Sequence, residues 1–193
     1  MNILVVMALP LENAEAFDRE SVPVLYTGVG KINAAHALTR RLTEYRCAGQ
    51  PLPLVINFGT AGSRSIPLGT LVCCDAFVQR DMDVTALGVP AGTTPFEEVP
   101  ARLEFPLAFD DLRRGTCGSG DSFSTAIPAV ACDLVDMEAY ALAKVCRLEG
   151  ARFACVKYIT DNADDNAHKE WVRNVHRASE DFLALYQTLL RRV

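Results

Sequence analysis

The chain is organised around short apolar segments that each stop at glycine or carboxylate residues. The stretches at 2–7, 52–57 and 152–159 are nearly continuous runs of β-branched and other apolar residues. Runs of that length are typical of strands buried on both faces, which occur in sheets covered by helices on both sides. Segments with helical periodicity lie between them. The pattern predicts an α/β fold of three layers, in which a mixed central β-sheet is flanked by helices.

The element boundaries follow from where the apolar periodicity begins and ends. Strands are expected at 2–7, 23–26, 52–57, 71–77, 114–118, 129–136 and 152–159. A helix start is expected around 12–17, and longer helices over 31–45, over 137–149 with Gly150 as its end, and over about 171–190. The helix over 31–45 should bury one face made of Ile32, Ala35, His36, Leu38, Thr39 and Leu42. Residues 88–111, rich in Pro, Gly and Thr, predict mostly loop.

Length and composition set limits on the class of protein. A chain of 193 residues with no linker or internal repeat predicts a single domain over 1–193. The net charge of −5 argues against a nucleic-acid or anionic-membrane partner. No signal segment or membrane span is visible, and the seven cysteines resemble small buried hydrophobes of a reducing compartment. We therefore expect a cytoplasmic protein, and neither the cysteines nor the three histidines predict a metal site.

Polar residues collect where the predicted strands end. Glu12 follows the first strand, 59–62 follow the third, and Asp121, Glu138 and Asp161 follow later ones. In open α/β sheets a ligand binds outside the carboxyl ends of the strands. These residues are therefore the candidates for a binding or catalytic site.

Seven segments carry a family resemblance, in the family's order along nearly the whole chain. They are M-A-L-P-L-E (7–12), V-G-K-I-N-A-A (29–35), I-N-F-G-T-A-G-S (56–63), D-M-D-V-T-A-L-G (81–88), S-G-D-S-F (119–123), V-D-M-E-A-Y-A-L-A (135–143) and I-T-D-N-A-D (159–164). Together they resemble the purine nucleoside phosphorylase/nucleosidase superfamily, most closely the 5′-methylthioadenosine/S-adenosylhomocysteine nucleosidases. The resemblance implies hydrolysis of the N-glycosidic bond of an adenosine-like nucleoside.

The reaction explains why three carboxyl groups are needed. Breaking the bond leaves positive charge on the ribose and negative charge on the departing purine, and water must be activated. The resemblance assigns Asp161 as the acid at the purine, Glu138 as the carboxylate that holds the ribose hydroxyls, and Glu12 as the base. The structural alternatives are a turn residue for Asp161 and helix N-terminal carboxylates for Glu138 and Glu12.

Further site residues are implied by the same resemblance. Phe123 is expected to stack on the purine and the backbone of Ser124 to contact its edge, with core packing as the alternative for Phe123. Met137 should lie against the sugar, and Asp136 opens the D-M-E segment where relatives have Glu-Met-Glu. Lys157 stands at a position where relatives often carry arginine, and we expect it to form a supporting ion pair. The ribose and water side should be lined by Thr60, Ala61 and Gly62.

Several alternatives remain open from the sequence. A purine nucleoside phosphorylase would need a phosphate site, which favours arginine. Arg64 follows the G-T-A-G segment and Arg80 lies some way off, and either would have to reach phosphate by an unusual route. A futalosine hydrolase-like enzyme would share the carboxylates, and a non-catalytic nucleoside-binding protein would share the fold. No cofactor is implied. The resemblance also implies a homodimer with Val84 and Leu87 near the interface.

The chain departs from the family pattern in two segments. The hairpin usually present before V-G-K is reduced to 21–26, and a loop around 95–111 replaces the helix that usually precedes S-G-D. Both changes bear on the pocket expected to hold the 5′ substituent.

Overall fold

The computed structural model describes residues 2–123 and 128–191. Its strands are β1 (Ile3–Met7), β2 (Val24–Tyr26), β3 (Leu54–Gly62), β4 (Leu71–Gln79), β5 (Arg102–Glu104), β6 (Arg113–Ser119), β7 (Leu134–Asp136) and β8 (Arg152–Asp161). Its helices are α1 (Pro10–Asn13), α2 (Ala16–Arg19), α3 (Lys31–Cys47), α4 (Ala139–Glu149), α5 (Ala167–Asn174) and α6 (Ser179–Arg191), with a 3₁₀ turn at Thr85–Leu87.

The eight strands form one mixed sheet that closes partly on itself. The parallel strands β2, β1 and β3 lie side by side, and β3 continues in parallel pairing with β8. From β8 the pairing runs antiparallel to β4, then parallel through β6 to β7, which meets β3 again at Gly62. The short β5 lies at the outer edge of β4. The ring brings the ends of β3, β7 and β8 together.

Helices cover both faces of the sheet. On one face α3 and α4 bury small and branched side chains against the strands, among them Leu38 and Leu142. On the other face α2 and α6 bury Phe17 and Phe182, whose rings contact Phe58 of β3. The predicted three-layer α/β fold is confirmed. Within the described residues no helix is both long enough and apolar enough to cross a membrane.

The ends of α4 have local causes. Asp136 at the end of β7 accepts a hydrogen bond from the Ala139 amide at 2.9 Å, which satisfies a free donor of the first turn. At the other end Gly150 adopts φ +67°, the left-handed conformation that commonly ends a helix. The predicted stop at Gly150 is confirmed, and the predicted start at Met137 is two residues early.

The predicted buried face of α3 was wrong in part. Ile32 is 80% exposed, and His36 and Thr39 also face solvent. The buried positions are instead Ala34, Leu38 and Leu42, spaced by four residues. Alanine contributes too little hydrophobicity for periodicity to reveal that Ala34 belongs to the buried face.

Other boundaries also differ from the predictions. The strand predicted over 129–136 is reduced to Leu134–Asp136, and residues 128–133 before it form bends and irregular backbone that are exposed or half-buried. The helix predicted over 171–190 is two helices separated by a turn at 175–178, where Val175 and Ala178 turn into the core. Within 88–111, predicted as mostly loop, the structure adds β5. Strands β3 and β8 run on to Gly62 and Asp161, beyond the predicted ends.

Candidate active site

A cavity of about 210 Å³ opens where β1, β3, β7 and β8 end. Its wall contains the three carboxyl groups assigned from the sequence, Glu12, Glu138 and Asp161. Their residues are only 4%, 7% and 4% exposed, respectively. Burying a carboxyl group costs free energy unless polar partners stabilise it. The hydrogen bonds and charges around each of these three groups therefore decide its chemical role.

Glu12 is held by four hydrogen-bond donors. Its Oε2 accepts from the amides of Ala8 and Leu9 at 3.0 and 3.1 Å, which caps the first turn of α1. Its Oε1 accepts from the Thr60 amide at 2.8 Å and the Thr60 hydroxyl at 3.0 Å. The helix-cap interpretation and the cavity position are therefore both correct. Because every partner is a donor, the side chain is arranged as an acceptor, the state that a base requires.

Glu138 lies between β7 and α4, and its side chain has one hydrogen-bond partner in the described part of the chain. Its Oε1 accepts from the Gly30 amide at 2.8 Å, at the N-terminus of α3. Gly30 has φ +96°, a conformation that glycine adopts without strain. Burial raises the pKa of Glu138 to about 8, and the Asp136 carboxylate adds to the effect. The cavity thus contains a carboxyl group with capacity for further polar partners.

Asp161 is the last residue of β8. Its Oδ1 accepts from the Ala163 amide at 3.1 Å and its Oδ2 from the Thr160 hydroxyl at 2.9 Å. Burial raises the pKa of Asp161 above its ordinary value, against the lowering effect of these hydrogen bonds. A methyl group on Gly62, across the β3–β8 pairing, would overlap Asp161 Oδ1. The absence of a side chain at Gly62 therefore leaves the space that the Asp161 carboxyl occupies.

A buried ion pair supports the floor of the site. Lys157 Nζ lies 2.8 Å from Asp136 Oδ2, and the two side chains are 2% and 1% exposed. Burial opposes both charges, but the pairing outweighs it. The pKa of Asp136 is held below its usual range, and the pKa of Lys157 is held well above its usual range. The expected ion pair of Lys157 is confirmed. Asp136 borders the cavity, yet its oxygens are already bonded to Lys157, the Ala139 amide and the Ser119 hydroxyl.

Asp121, a candidate from its place at a strand end, is exposed outside the cavity wall, where its Oδ1 accepts a hydrogen bond from the Lys31 amide at 2.7 Å. The substrate-binding residues assigned from the resemblance lie at the cavity, with one exception. Phe123 is 48% exposed, and its ring meets the His168 ring edge-on at 6.5 Å between centroids. Ser124 lies outside the described residues, so its assignment stays a prediction. The remaining assigned residues in the wall are Thr60, Ala61, Gly62, Asp136 and Met137.

Several wall residues were missed by the sequence analysis. His168 and Trp171 come from α5, where they are three positions apart and so share a helix face. The helix was predicted to begin only at Trp171, which hid this spacing. Leu9 and Val29 add apolar wall, and each belongs to a segment that the family resemblance already covered.

Arg80 is the one arginine in the described part of the cavity wall. Its guanidinium donates to the Ser122 hydroxyl at 3.1 Å, the Gly120 carbonyl at 3.2 Å and the Ser122 carbonyl. These contacts brace the segment that leads to Phe123. In residues 2–123 and 128–191 no group of three or more His, Cys, Asp or Glu side chains is arranged to hold a metal ion.

Comparison with known proteins supplies the family. A sequence profile described as the phosphorylase superfamily matches residues 15–191. The chain belongs to this superfamily.

Relatives within the phosphorylase superfamily agree with the resemblance predicted from the motifs. A 5′-methylthioadenosine/S-adenosylhomocysteine nucleosidase of Marinomonas sp. (strain MWYL1) is 29% identical, over 91% of this chain and 83% of its own length. An enzyme of the same name from Bacillus pumilus (strain SAFR-032) is 30% identical, over 84% of this chain and 78% of its own length.

A solved structure supports the fold of this superfamily member. A futalosine hydrolase mutant of Helicobacter pylori strain 26695 superimposes with a TM-score of 0.85 at 19% sequence identity, and the match covers 100% of both chains. The similarity covers the complete three-layer architecture, including the ring of strands around which the cavity lies.

Proposed function

We propose that this protein hydrolyses the N-glycosidic bond of an adenosine-like nucleoside of the methylthioadenosine/S-adenosylhomocysteine type, releasing free purine and a ribose sugar. The observation that carries the proposal is that three carboxyl groups of the cavity wall, apart from Asp136 in its ion pair with Lys157, lie in three different environments. Glu12 is surrounded by donors, Glu138 keeps capacity for further partners, and the pKa of Asp161 is raised. Groups whose environments differ in this way can divide base, binding and acid roles.

The three roles balance the reaction. The bond between the sugar C1′ and the purine N9 breaks, and its electron pair leaves with the base. Asp161, whose pKa burial raises, gives its proton to the purine ring nitrogen at position 7. Glu12 takes a proton from water as the water oxygen bonds to C1′. Glu138, whose pKa burial raises to about 8, forms hydrogen bonds with the ribose hydroxyls and holds the sugar in place.

The remaining wall residues support binding of the same substrate. Phe123, at the cavity mouth, would stack on the purine and Met137 would contact the sugar, while the backbone of Ser124 would contact the purine edge. Thr60, Ala61 and Gly62 would line the ribose and water side. No metal or organic cofactor takes part in this scheme, because water is the only second reactant.

Phosphorolysis is less well supported by the same cavity. Phosphate recognition favours an arginine with free donors. Arg80 Nη1 and Nη2 donate to Ser122 and Gly120, and its buried Nε has no hydrogen-bond partner in the described residues. Offering phosphate the bidentate guanidinium fork would therefore release the segment before Phe123. Arg64 is exposed and lies outside the cavity wall in the described residues.

The substrate experiment separates the candidate activities. Purified protein is incubated with methylthioadenosine, S-adenosylhomocysteine, adenosine, inosine and futalosine, with and without phosphate, and free base and sugar product are measured. We expect base release without phosphate, fastest from the first two. Fastest release from futalosine would assign the futalosine hydrolase activity, and release only with phosphate would overturn the hydrolase proposal. Binding without release would favour a nucleoside-binding protein.

A matched pair of variants ties release to the site. Asp161→Asn removes the proposed acid, whereas Asp165→Asn makes the same change at an exposed aspartate four residues away. We expect the first to lower the rate of release by about 10²–10⁴-fold and the second to keep it. Equal activities of the two variants would contradict the role of Asp161.

We also propose that the single domain acts as a cytoplasmic homodimer with Val84 and Leu87 near the interface. Leu87, in the 3₁₀ turn, is 73% exposed, so its side chain is available to a partner surface. All seven cysteines are free thiols, in keeping with a reducing compartment. Sedimentation of wild type and Leu87→Asp tests the assembly: a dimer that becomes monomeric is expected, and a monomeric wild type would contradict it.

A further inference from the structure

The only tryptophan of the chain contacts the residue that holds the proposed base. Trp171 lies in α5 and lines the cavity, and its indole Nε1 donates a hydrogen bond to the Thr60 hydroxyl oxygen at 3.2 Å. That hydroxyl in turn lies 3.0 Å from Glu12 Oε1. The three side chains form a continuous path from α5 to the base.

The direction of this path is fixed by which groups can donate. An indole N–H only donates, so the Thr60 oxygen must accept from it. The hydroxyl has one proton, and its nearest acceptor is Glu12 Oε1. The other three donors to Glu12 are backbone amides of Ala8, Leu9 and Thr60, which cannot rotate away. The hydroxyl is therefore the one adjustable contact of the carboxylate among the described residues, and Trp171 sets its orientation.

Helix α5 is itself anchored to the end of β8 on both sides of Trp171. The Glu170 carboxylate accepts from the Asn162 amide and side chain, each at 3.0 Å. The Asn174 side chain donates to the Thr160 carbonyl at 2.8 Å. Trp171 is thus held relative to the strand that ends in Asp161, and one short helix connects the surroundings of the proposed acid and base.

We propose that Trp171 is a positioning residue that orients the Glu12 carboxylate through the Thr60 hydroxyl. This inference rests on the proposed function, in which Glu12 takes the proton from water. The ring of Trp171 forms cavity wall, but its N–H acts on the base and not on the substrate. Loss of the N–H should therefore reduce kcat and leave KM nearly unchanged.

A double-mutant cycle separates this role from simple packing. Trp171→Phe keeps an aromatic wall without the N–H, and loss of one hydrogen bond of ordinary strength predicts about a fivefold lower kcat. Thr60→Val removes the hydroxyl and should reduce kcat by about tenfold or more. If Trp171 acts through Thr60, the double variant is no slower than Thr60→Val alone. Thr60→Ser keeps the hydroxyl and should keep the full effect of Trp171→Phe.

Three results would overturn the proposal: an unchanged kcat in Trp171→Phe, an effect confined to KM, or fold-losses that multiply in the double variant. Circular dichroism and thermal unfolding of each variant check that the fold is retained.

A measurement independent of activity tests the hydrogen bond itself. With one tryptophan, the ¹H–¹⁵N spectrum contains one indole signal, and Thr60→Val should move its proton upfield and speed its exchange with water. An unmoved signal would overturn the path. A wild type that releases no purine would overturn the proposed function and the catalytic part of this inference, while the indole signal would still report on the hydrogen bond.

Discussion

Replacing Glu138 by glutamine should remove a pH-dependent loss of stability. In the folded protein burial keeps the carboxyl protonated up to a pKa of about 8, whereas its ordinary value is 4.5. Between these values the unfolded chain has lost the proton and the folded protein has not, so the free energy of unfolding falls as pH rises. Glutamine ionises in neither state, so the variant escapes this loss.

The magnitude follows from the two pKa values. At about pH 5 the loss in the wild type is below about 1 kcal/mol, and at about pH 9 it is complete at about 5 kcal/mol. The stability of Glu138→Gln relative to wild type should therefore improve by about 4 kcal/mol between these conditions. The amide oxygen of the new side chain can still accept a hydrogen bond from the Gly30 amide. Any cost of the substitution that does not depend on pH cancels when the two pH values are compared.

The assay is urea unfolding of both proteins at the two pH values. Glu104→Gln is the matched control, because that side chain is 72% exposed and its contact with Arg102 lies in water. The control should differ little from wild type at both pH values. A stability difference between Glu138→Gln and wild type that does not change with pH would refute the argument that the site favours the neutral carboxyl.

Three further changes test other parts of the site. Asp161→Asn should lower kcat by about 10²–10⁴-fold. In the wild type, kcat/KM should fall as pH rises above the raised pKa of Asp161, and a flat pH profile would contradict the role of Asp161 as acid. Gly62→Ala should reduce kcat by about 10²-fold through displacement of that carboxyl, measured by base release, and near-normal kcat would count against the assigned geometry. Lys157→Met should cost about 3–5 kcal/mol in urea unfolding by leaving Asp136 buried without its cation, and a loss below about 1 kcal/mol would contradict the ion pair's importance.

The layers of the fold could be predicted because buried strands produce apolar runs that do not depend on distant contacts. The errors lie where tertiary contacts decide the outcome. Glycines such as Gly59 and Gly62 predict a loop, yet both belong to strand β3. They stay in the sheet because β3 pairs with β8 at these positions. The break between α5 and α6 occurs where Val175 is buried in the core. This burial depends on tertiary contacts, so no local sequence pattern indicates it.

The assigned carboxylates meet at one cavity, and that convergence was predictable because strand ends gather in such sheets. The contacts between them were not predictable. The pairing of Asp136 with Lys157 depends on the ring closure in which β7 meets β3, whose other neighbour at that end is β8. The hydrogen bond from Trp171 to Thr60 joins residues 111 positions apart, and it exists only because α5 folds back over the end of β8.

The central claim is that water, and not phosphate, attacks the sugar. The most direct test is a reaction in ¹⁸O-labelled water without phosphate, using the fastest nucleoside of the substrate panel and mass spectrometry of the sugar product. The account predicts one labelled oxygen bound at C1 of the sugar when the product is trapped before exchange. Release that occurs only after phosphate is added, with an unlabelled sugar 1-phosphate as product, would contradict it.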